Sequence, residues 1–433
     1  MPELRKHIRS YVLQIDGTTD SEFSMIVVVR DAISDFTLYV RKCSSESQES
    51  IEDILNIIDK KFGKPSGITC DMRSGIISAA QSVFPNIPIR ICLMHFLRDL
   101  GKDLMMNMHT DLGIMINRKW IKSHLKRILR GMPDYRQGTL EEIEHDFCTD
   151  IKEIECMTLR RILEKVVCVG GSSGYGFPFT LKHLNFFNAC SSAVTELAEL
   201  MKKLKETEII DTAISIVNYL KKVTENKTIV SMTGRLGDIN SIIFQKIRKA
   251  FIIPNHGNLS DDKYDPLRDD PAVHEKCIVI FGELKVFLRT NIPKHLIPAA
   301  KLAVDRYYKR EDMLFSQNTD GTIPRTNNNM ERFFRKIRRN VRKRSGNNAT
   351  GTILAQSGEK LAIFQNISIP EYRKIVFGNA DMGSVFSAYR ESFKKSGMSK
   401  KRTIELVDKG KGMILAGNIS NTPYQNKNGE TIW

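Results

Sequence analysis

Three carboxylates, Asp16, Asp71 and Glu331, occupy positions where chemistry could be done. Asp16 and Asp71 each close a short β-rich run, "YVLQID" and "SGITCD", and Glu331 sits near the head of the cationic stretch "RTNNNMERFFRKIRRNVRKR" (325–344). Neighbouring strands lie only about 5 Å apart, so carboxylates at adjacent strand ends converge. Like charges held that close are unfavourable unless cations neutralise them. Mg2+ suits such a set, being a hard octahedral ion bound by a few carboxylates together with substrate phosphate oxygens. Two such ions about 3.5–4 Å apart can activate an attacking oxygen and stabilise a leaving one during phosphodiester transfer. The plainer reading of either aspartate is a turn or cap residue. For Glu331 it is a solvated basic helix with an i,i+4 pair to Arg335, worth about 0.3–0.5 kcal/mol.

The elements that must position these groups follow from periodicity. "YVLQID", "FSMIVVVRD" and "FTLYVRKC" are three closely spaced β-rich runs, an expected antiparallel meander, with "GTTDSE" supplying the first turn. "SQESIEDILNIIDKKFG" places Ile51, Ile54, Leu55 and Ile58 at helical spacing. "SGITCD" is a fourth strand, "RSGIISAAQSVFP" a helix closed by Pro85, and "IPIRICLMH" a fifth strand passing into the helix "FLRDLGKDLMM". The order β-β-β-α-β-α-β-α, with aspartates ending the first and fourth strands, belongs to α/β folds whose reactive groups gather beyond strand ends. From residue 96 to about 320 long helical patterns replace strands, which reads as a helical domain inserted into the α/β unit. Two breaks interrupt it, "VGGSSGYGFPF" (169–179) and "IIPNHGNLSDDKYDPLRDDPA" (252–272). The final "NISNTPYQNKNGETIW" is expected to be loose.

In the cationic stretch, Phe334, Ile337 and Val341 fall at i, i+3 and i+7 and can face the sheet. Arg335, Arg338 and Arg342 repeat on an adjacent stripe headed by Glu331, with Asn327, Asn328 and Asn329 as the N-cap region. The 433-residue chain carries a net charge of +16, and its charge clusters, so a polyanion is the first partner to expect. Hydrophobic content of 41% and charged content of 27% describe a globular chain, not a disordered one. Eight scattered cysteines suit a reducing compartment, no signal-peptide core opens the chain, and no apolar run reaches the roughly 18 residues of a membrane span. A soluble, intracellular protein is therefore expected.

Other motifs weigh less. Cys92 and His95 form C-x-x-H, and His145 with Cys148 could complete a four-ligand zinc site; a buried cysteine beside a hydrogen-bonded histidine is the alternative. "VGGSSGYGF" lacks the Gly-Lys-Ser/Thr ending of a phosphate loop, and "DDKYDPLRDD" lacks the Gly and closing Glu of a calcium loop. Trp120, in "NRKWIKSHLKRILR", could stack on an unpaired base for about 1–3 kcal/mol, or be partly buried in the core.

"LQIDGT", "ITCDMRSGI", the following "CLMH" and "TNNNMERFFRKIRR" together resemble the DDE transposases of the Mutator-like group. The motifs cover residues 11–100 and about 322–346, and the insertion matches by position and helical character. The resemblance implies a ribonuclease-H-like mixed sheet flanked by helices, formed by residues 1–95 and 322–375. A large all-α insertion, 96–321, would interrupt it, and a partly flexible extension, 376–433, would follow. It implies that Asp16, Asp71 and Glu331 hold two Mg2+ or Mn2+ ions, that Cys92 and His95 support the active site, and that Arg332, Arg335, Arg338, Arg339, Arg342 and Trp120 bind DNA. The implied activity is metal-dependent DNA cleavage and strand transfer on element ends and target. The enzyme would work as a homodimer or larger assembly on DNA, in the cytoplasm of a prokaryote and nucleoid-associated when bound. Only about ten residues precede the first strand, where such enzymes usually carry a DNA-binding region. Two further readings stay open: a ribonuclease-H-like nuclease without strand transfer, and a truncated, inactive copy that only binds DNA.

Overall fold

A computed structural model describes residues 2–8, 10–19, 25–132, 151–169, 176–252, 271–290, 293–315, 323–346, 358, 360–378, 380–396, 424–425 and 431–432. The chain divides into two compact units, Leu4–Asn366 and Ile367–Trp433.

In the larger unit, helix α1 (Pro2–His7) precedes strands β1 (Val12–Thr19), β2 (Met25–Asp31) and β3 (Thr37–Cys43), which pair antiparallel as the meander predicts. Helix α2 (Gln48–Phe62), capped by Ser47, leads to β4 (Gly67–Cys70), α3 (Ser74–Val83) and β5 (Ile89–Ile91). The sheet is mixed, in the order β3-β2-β1-β4-β5, with β4 and β5 parallel to β1. The fold class is thus α/β.

Two local expectations are corrected. The turn expected at "GTT" is strand: β1 continues to Thr19, which pairs with Met25, so Asp16 lies inside β1 instead of ending it. On the other edge of β1 the pairing with β4 stops at Ile15↔Cys70, so Asp16 and Asp71 are the adjacent residues just past the last parallel pair. The second correction concerns "IPIRICLMH", of which only three residues form a strand. Cys92 is the N-cap of helix α4 (Leu93–Asn117), and His95 sits in that helix's first turn.

The chain from α4 onward is helical, as the periodicity predicts: α5 (Ile121–Gly131), α6 (Ile151–Cys168), α7 (Lys182–Met201), α8 (Thr207–Thr224), α9 (Lys227–Asp238), a π-helical stretch (Ile239–Phe244), α10 (Gln245–Ala250), α11 (Pro271–Phe287), α12 (Ile297–Tyr308) and α13 (Glu311–Leu314). Their apolar faces form one core that runs from Ile91 and Cys92 to Leu314. His145, Cys148 and "DDKYDPLRDD" lie outside the described residues, as does most of "VGGSSGYGF".

Helix α14 (Asn328–Ser345) returns to the sheet. Met330, Phe333, Phe334 and Ile337 pack with Ile26, Val28 and Val40, and Val341 covers the edge of that cluster, as the spacing predicts. Arg30 lies over the Phe333 ring at 4.7 Å and donates to the Asn329 carbonyl. Helix α15 (Lys360–Asn366) ends on Asn366, whose amide bonds both backbone groups of Thr37 at 2.8 Å. The smaller unit contains α16 (Pro370–Phe377), α17 (Met382–Ser396) and a pair of two-residue strands, Tyr424–Gln425 and Thr431–Ile432, inside the tail expected to be loose.

One buried group makes the helical core sensitive to acid. His109 on α4 is 5% exposed, with its ring between Phe177 (4.8 Å) and His183 (4.7 Å), and Nε2 accepts the His183 backbone N–H. Burial, with help from His183 and Lys182, lowers its pKa to about 4. The neutral ring therefore stabilises the fold above its ordinary pKa, and that contribution is lost as pH falls from about 6.5 through 4. The loss is up to about 3 kcal/mol. Denaturant titrations at pH 7 and pH 4.5 should show a steeper drop for the native chain than for His109→Gln.

Candidate active site

Asp16, Asp71 and Glu331 line one cleft of about 550 Å³. The sheet supplies its floor: Asp16, Gly17 and Thr18 from β1, and Asp71, Met72 and Arg73 after β4. Helix α4 supplies one wall, with His95, Arg98, Asp99 and Lys102, and α14 the other, with Glu331, Phe334, Arg335 and Arg338. Residues 16 and 331 are thus brought to one place by the return of α14 across the sheet.

A short segment of backbone fixes where α14 starts. Thr69 Oγ1 and Arg90 Nη1, on paired residues of β4 and β5, donate to the carbonyls of Pro324 (3.2 Å) and Ile323 (3.0 Å). Leu93 N–H donates to Arg325 O, and Asn327 N–H to the Cys92 sulfur at 3.1 Å. The Asn327 amide donates to Ile15 O, one residue before Asp16, and makes no capping bond to α14. Asn327 thus holds the expected N-cap position, while its side chain tethers the helix to the sheet. Cys92 is buried and receives that tether, which ties it to the site through Asn327.

The two aspartates differ in surroundings. Asp71 is held on both oxygens by Arg73: Oδ1 accepts the backbone N–H at 3.0 Å, and Oδ2 faces Nε at 3.0 Å. Arg73 also pairs with Glu46, a fourth carboxylate with a buried side chain. A Cβ at position 17 would overlap the Glu46 carboxylate, which would have to swing aside. Asp16 is 7% exposed, and no cationic side chain among the described residues is within ion-pair distance of it. Burial, with the neighbouring Asp71, raises its pKa to about 7 against the opposing pull of His95. Burial also raises Asp71. Burial pulls His95 down, but Cys92 and Asp16 outweigh it and raise the imidazole to about 9.

Glu331 is drawn to cations. Oε1 accepts from Arg98 Nη1 at 3.0 Å with His95 Nε2 at 3.9 Å, and Oε2 accepts from Arg335 at 3.2 Å. The Glu331–Arg335 pair of the plainer reading therefore exists, but inside a cleft that also holds both aspartates. Among the described residues, no three His, Cys, Asp or Glu side chains stand close enough together to hold one ion. The donor chemistry still fits a divalent cation. Asp16 and Asp71 are adjacent buried hard-oxygen donors, and the excess negative charge at Asp16 is what a cation would relieve. Glu331, on the opposite wall, would exchange arginine partners to join them.

The arginines divide. Arg335 and Arg338 line the cleft, and Arg338 bonds the Thr18 hydroxyl. Arg332, Arg339 and Arg342 are exposed and lie off it, as does Trp120, which is 73% exposed at the far end of α4. Sequence reasoning missed Arg98 and Lys102. Both stood on the expected helix "FLRDLGKDLMM", but only with α4 starting at Leu93 does His95 join them in an i, i+3, i+7 stripe. Among the described residues, no helix is long and apolar enough to cross a membrane. Comparison of the chain with protein-family models and with curated proteins finds no match.

Proposed function

We propose that the chain is a DDE-type DNA transposase with a ribonuclease-H-like catalytic unit, cutting DNA and joining the resulting 3′ end to a target. The observation that carries this reading is the convergence of Asp16, Asp71 and Glu331, from three distant parts of the sequence, on one cleft walled by Arg98, Lys102, Arg335 and Arg338. Asp16 and Asp71 would hold Mg2+ or Mn2+, with Glu331 completing the set. The bound ions would supply charge neutralisation and a more acidic water. Arg335, Arg338 and Lys102 would bind the phosphates flanking the reacting one. Arg73 orients Asp71, while Arg98 and Arg335 orient Glu331.

The test is incubation of purified protein with supercoiled plasmid and Mg2+ or Mn2+, alongside Glu331→Gln. Nicking that requires metal and Glu331, followed by covalent joining of a 3′-hydroxyl oligonucleotide into the plasmid, is the expected result. Nicking without joining would leave a nuclease. Nicking unchanged in Glu331→Gln would remove Glu331 from the site.

A further inference from the structure

We infer that α5 and the turn before it form a second DNA contact, gripping the duplex within about one helical turn of the cleft. The stretch from Leu112 to Met132 contains no acidic residue. Within α5, Ile121 and Leu125 are buried, and Lys122, Lys126 and Arg130 repeat at i, i+4 and i+8 along the exposed side. Such residues form a row with steps of about 6 Å. Arg118 and Lys119, in the turn before α5, are exposed as well. Among the described residues none of these five cations is ion-paired. Five neighbouring cations without an ion-pair partner among the described residues repel one another, which a polyanion relieves.

Trp120 marks the start of the row. It is 73% exposed, and its backbone adopts φ 54°, a left-handed conformation uncommon for a bulky residue. It is mostly exposed and lies in sequence beside Arg118, Lys119 and Lys122, and its flat ring is a surface suited to sugar or base faces.

The spacing comes from α4. This 25-residue helix carries the cleft-lining His95, Arg98 and Lys102 near its start and ends three residues before Trp120, about 22–33 Å of rise beyond that lining. One turn of B-DNA spans about 34–36 Å. Duplex DNA leaving the cleft along α4 therefore meets α5 within about one turn. The spacing rests on the phosphodiester reading of the cleft, whereas the row of cations does not.

The measurement is fluorescence-anisotropy binding of the full chain to random-sequence DNA duplexes across a salt series. The variants are Lys122→Ala/Lys126→Ala/Arg130→Ala and, because Lys122 also lies 6.0 Å from the Phe186 ring, the single Lys126→Glu, with circular dichroism melts as the folding control. The triple variant should bind about tenfold or more weakly and lose about 2–3 from the slope of log K against log salt. For the native chain that slope should steepen between duplexes of about 8 and about 16 base pairs, and the triple variant should lack the step. Native slopes and affinities in both variants would overturn the contact, as would failure of the native chain to bind duplex at low salt. A slope independent of length would overturn the spacing, and tighter binding of an RNA duplex of equal length would overturn the DNA assignment. Loss of plasmid nicking in Glu331→Gln with α5-dependent binding retained separates this contact from the catalytic reading.

Discussion

Asp71→Asn is expected to cut metal-dependent plasmid nicking by more than about a hundredfold, and Asp16→Asn to do the same while making the fold more stable. On the proposed reading the activity loss follows from removing a metal ligand, since even outer-shell partners of metal ligands cost about 10–100-fold. The stability gain follows from burial. Asp16 is almost enclosed, has Asp71 as neighbour, and is raised to about 7. A carboxyl raised above its unfolded value of 3.8 favours the fold while protonated, and that advantage is lost as pH climbs from about 4 to 7. At neutral pH the ionised group therefore costs about 2–4 kcal/mol, which asparagine would return. Denaturant titration in EDTA should show Asp16→Asn more stable than the native chain at pH 7, with the gap closing toward pH 4. Adding Mn2+ should raise the melting temperature of the native chain and leave the variant unmoved, because a ligand stabilises only the form that binds it. A variant less stable than the native chain in EDTA at pH 7 would mean that Asp16 is a structural residue of β1.

What could be read from sequence was local. The meander, α2 and the apolar face of α14 follow from residue periods of 2 and 3.6, and tertiary packing does not overturn them. The misreadings have physical causes. "GTT" carries turn composition, but its pairing with β2 decides its conformation. "CLMH" continues an apolar run and Cys92 is a poor cap residue, so no local signal marks the start of α4. That error separated His95 from Arg98 and Lys102, which stood on the expected helix. Arg73 meets Asp71 locally, two residues on, but Glu46 reaches Arg73 only through the packing of the loop before α2, which no spacing rule reports. The three carboxylates were legible because strand connectivity alone brings Asp16 and Asp71 side by side, and because Glu331 stands out among cations.

Arg90 shows how a residue without any motif can control the site. It is the middle residue of the three-residue edge strand β5, where a charged side chain would ordinarily reach water, yet it is 1% exposed. The segment before α14 lies over it, and its guanidinium donates to Ile323 O while neighbouring Thr69 holds Pro324 O. These bonds set the height and direction from which α14 departs, and hence where Glu331 meets the aspartates. Arg90→Met keeps most of the side-chain bulk but removes the donor, leaving a buried carbonyl unpaired at a cost of about 1.5–3 kcal/mol. Nicking should fall as well, because Glu331 is no longer held over the sheet. Thr69→Val should cost less alone, and the double variant should cost less than the two losses combined, since both bonds restrain one segment. Arg90→Lys should recover part of the stability and little of the activity, because one ammonium cannot reproduce the directed planar donors of a guanidinium. If Arg90→Met is destabilised but nicks at the native rate at a temperature where it is fully folded, the tether holds the fold together without aiming Glu331.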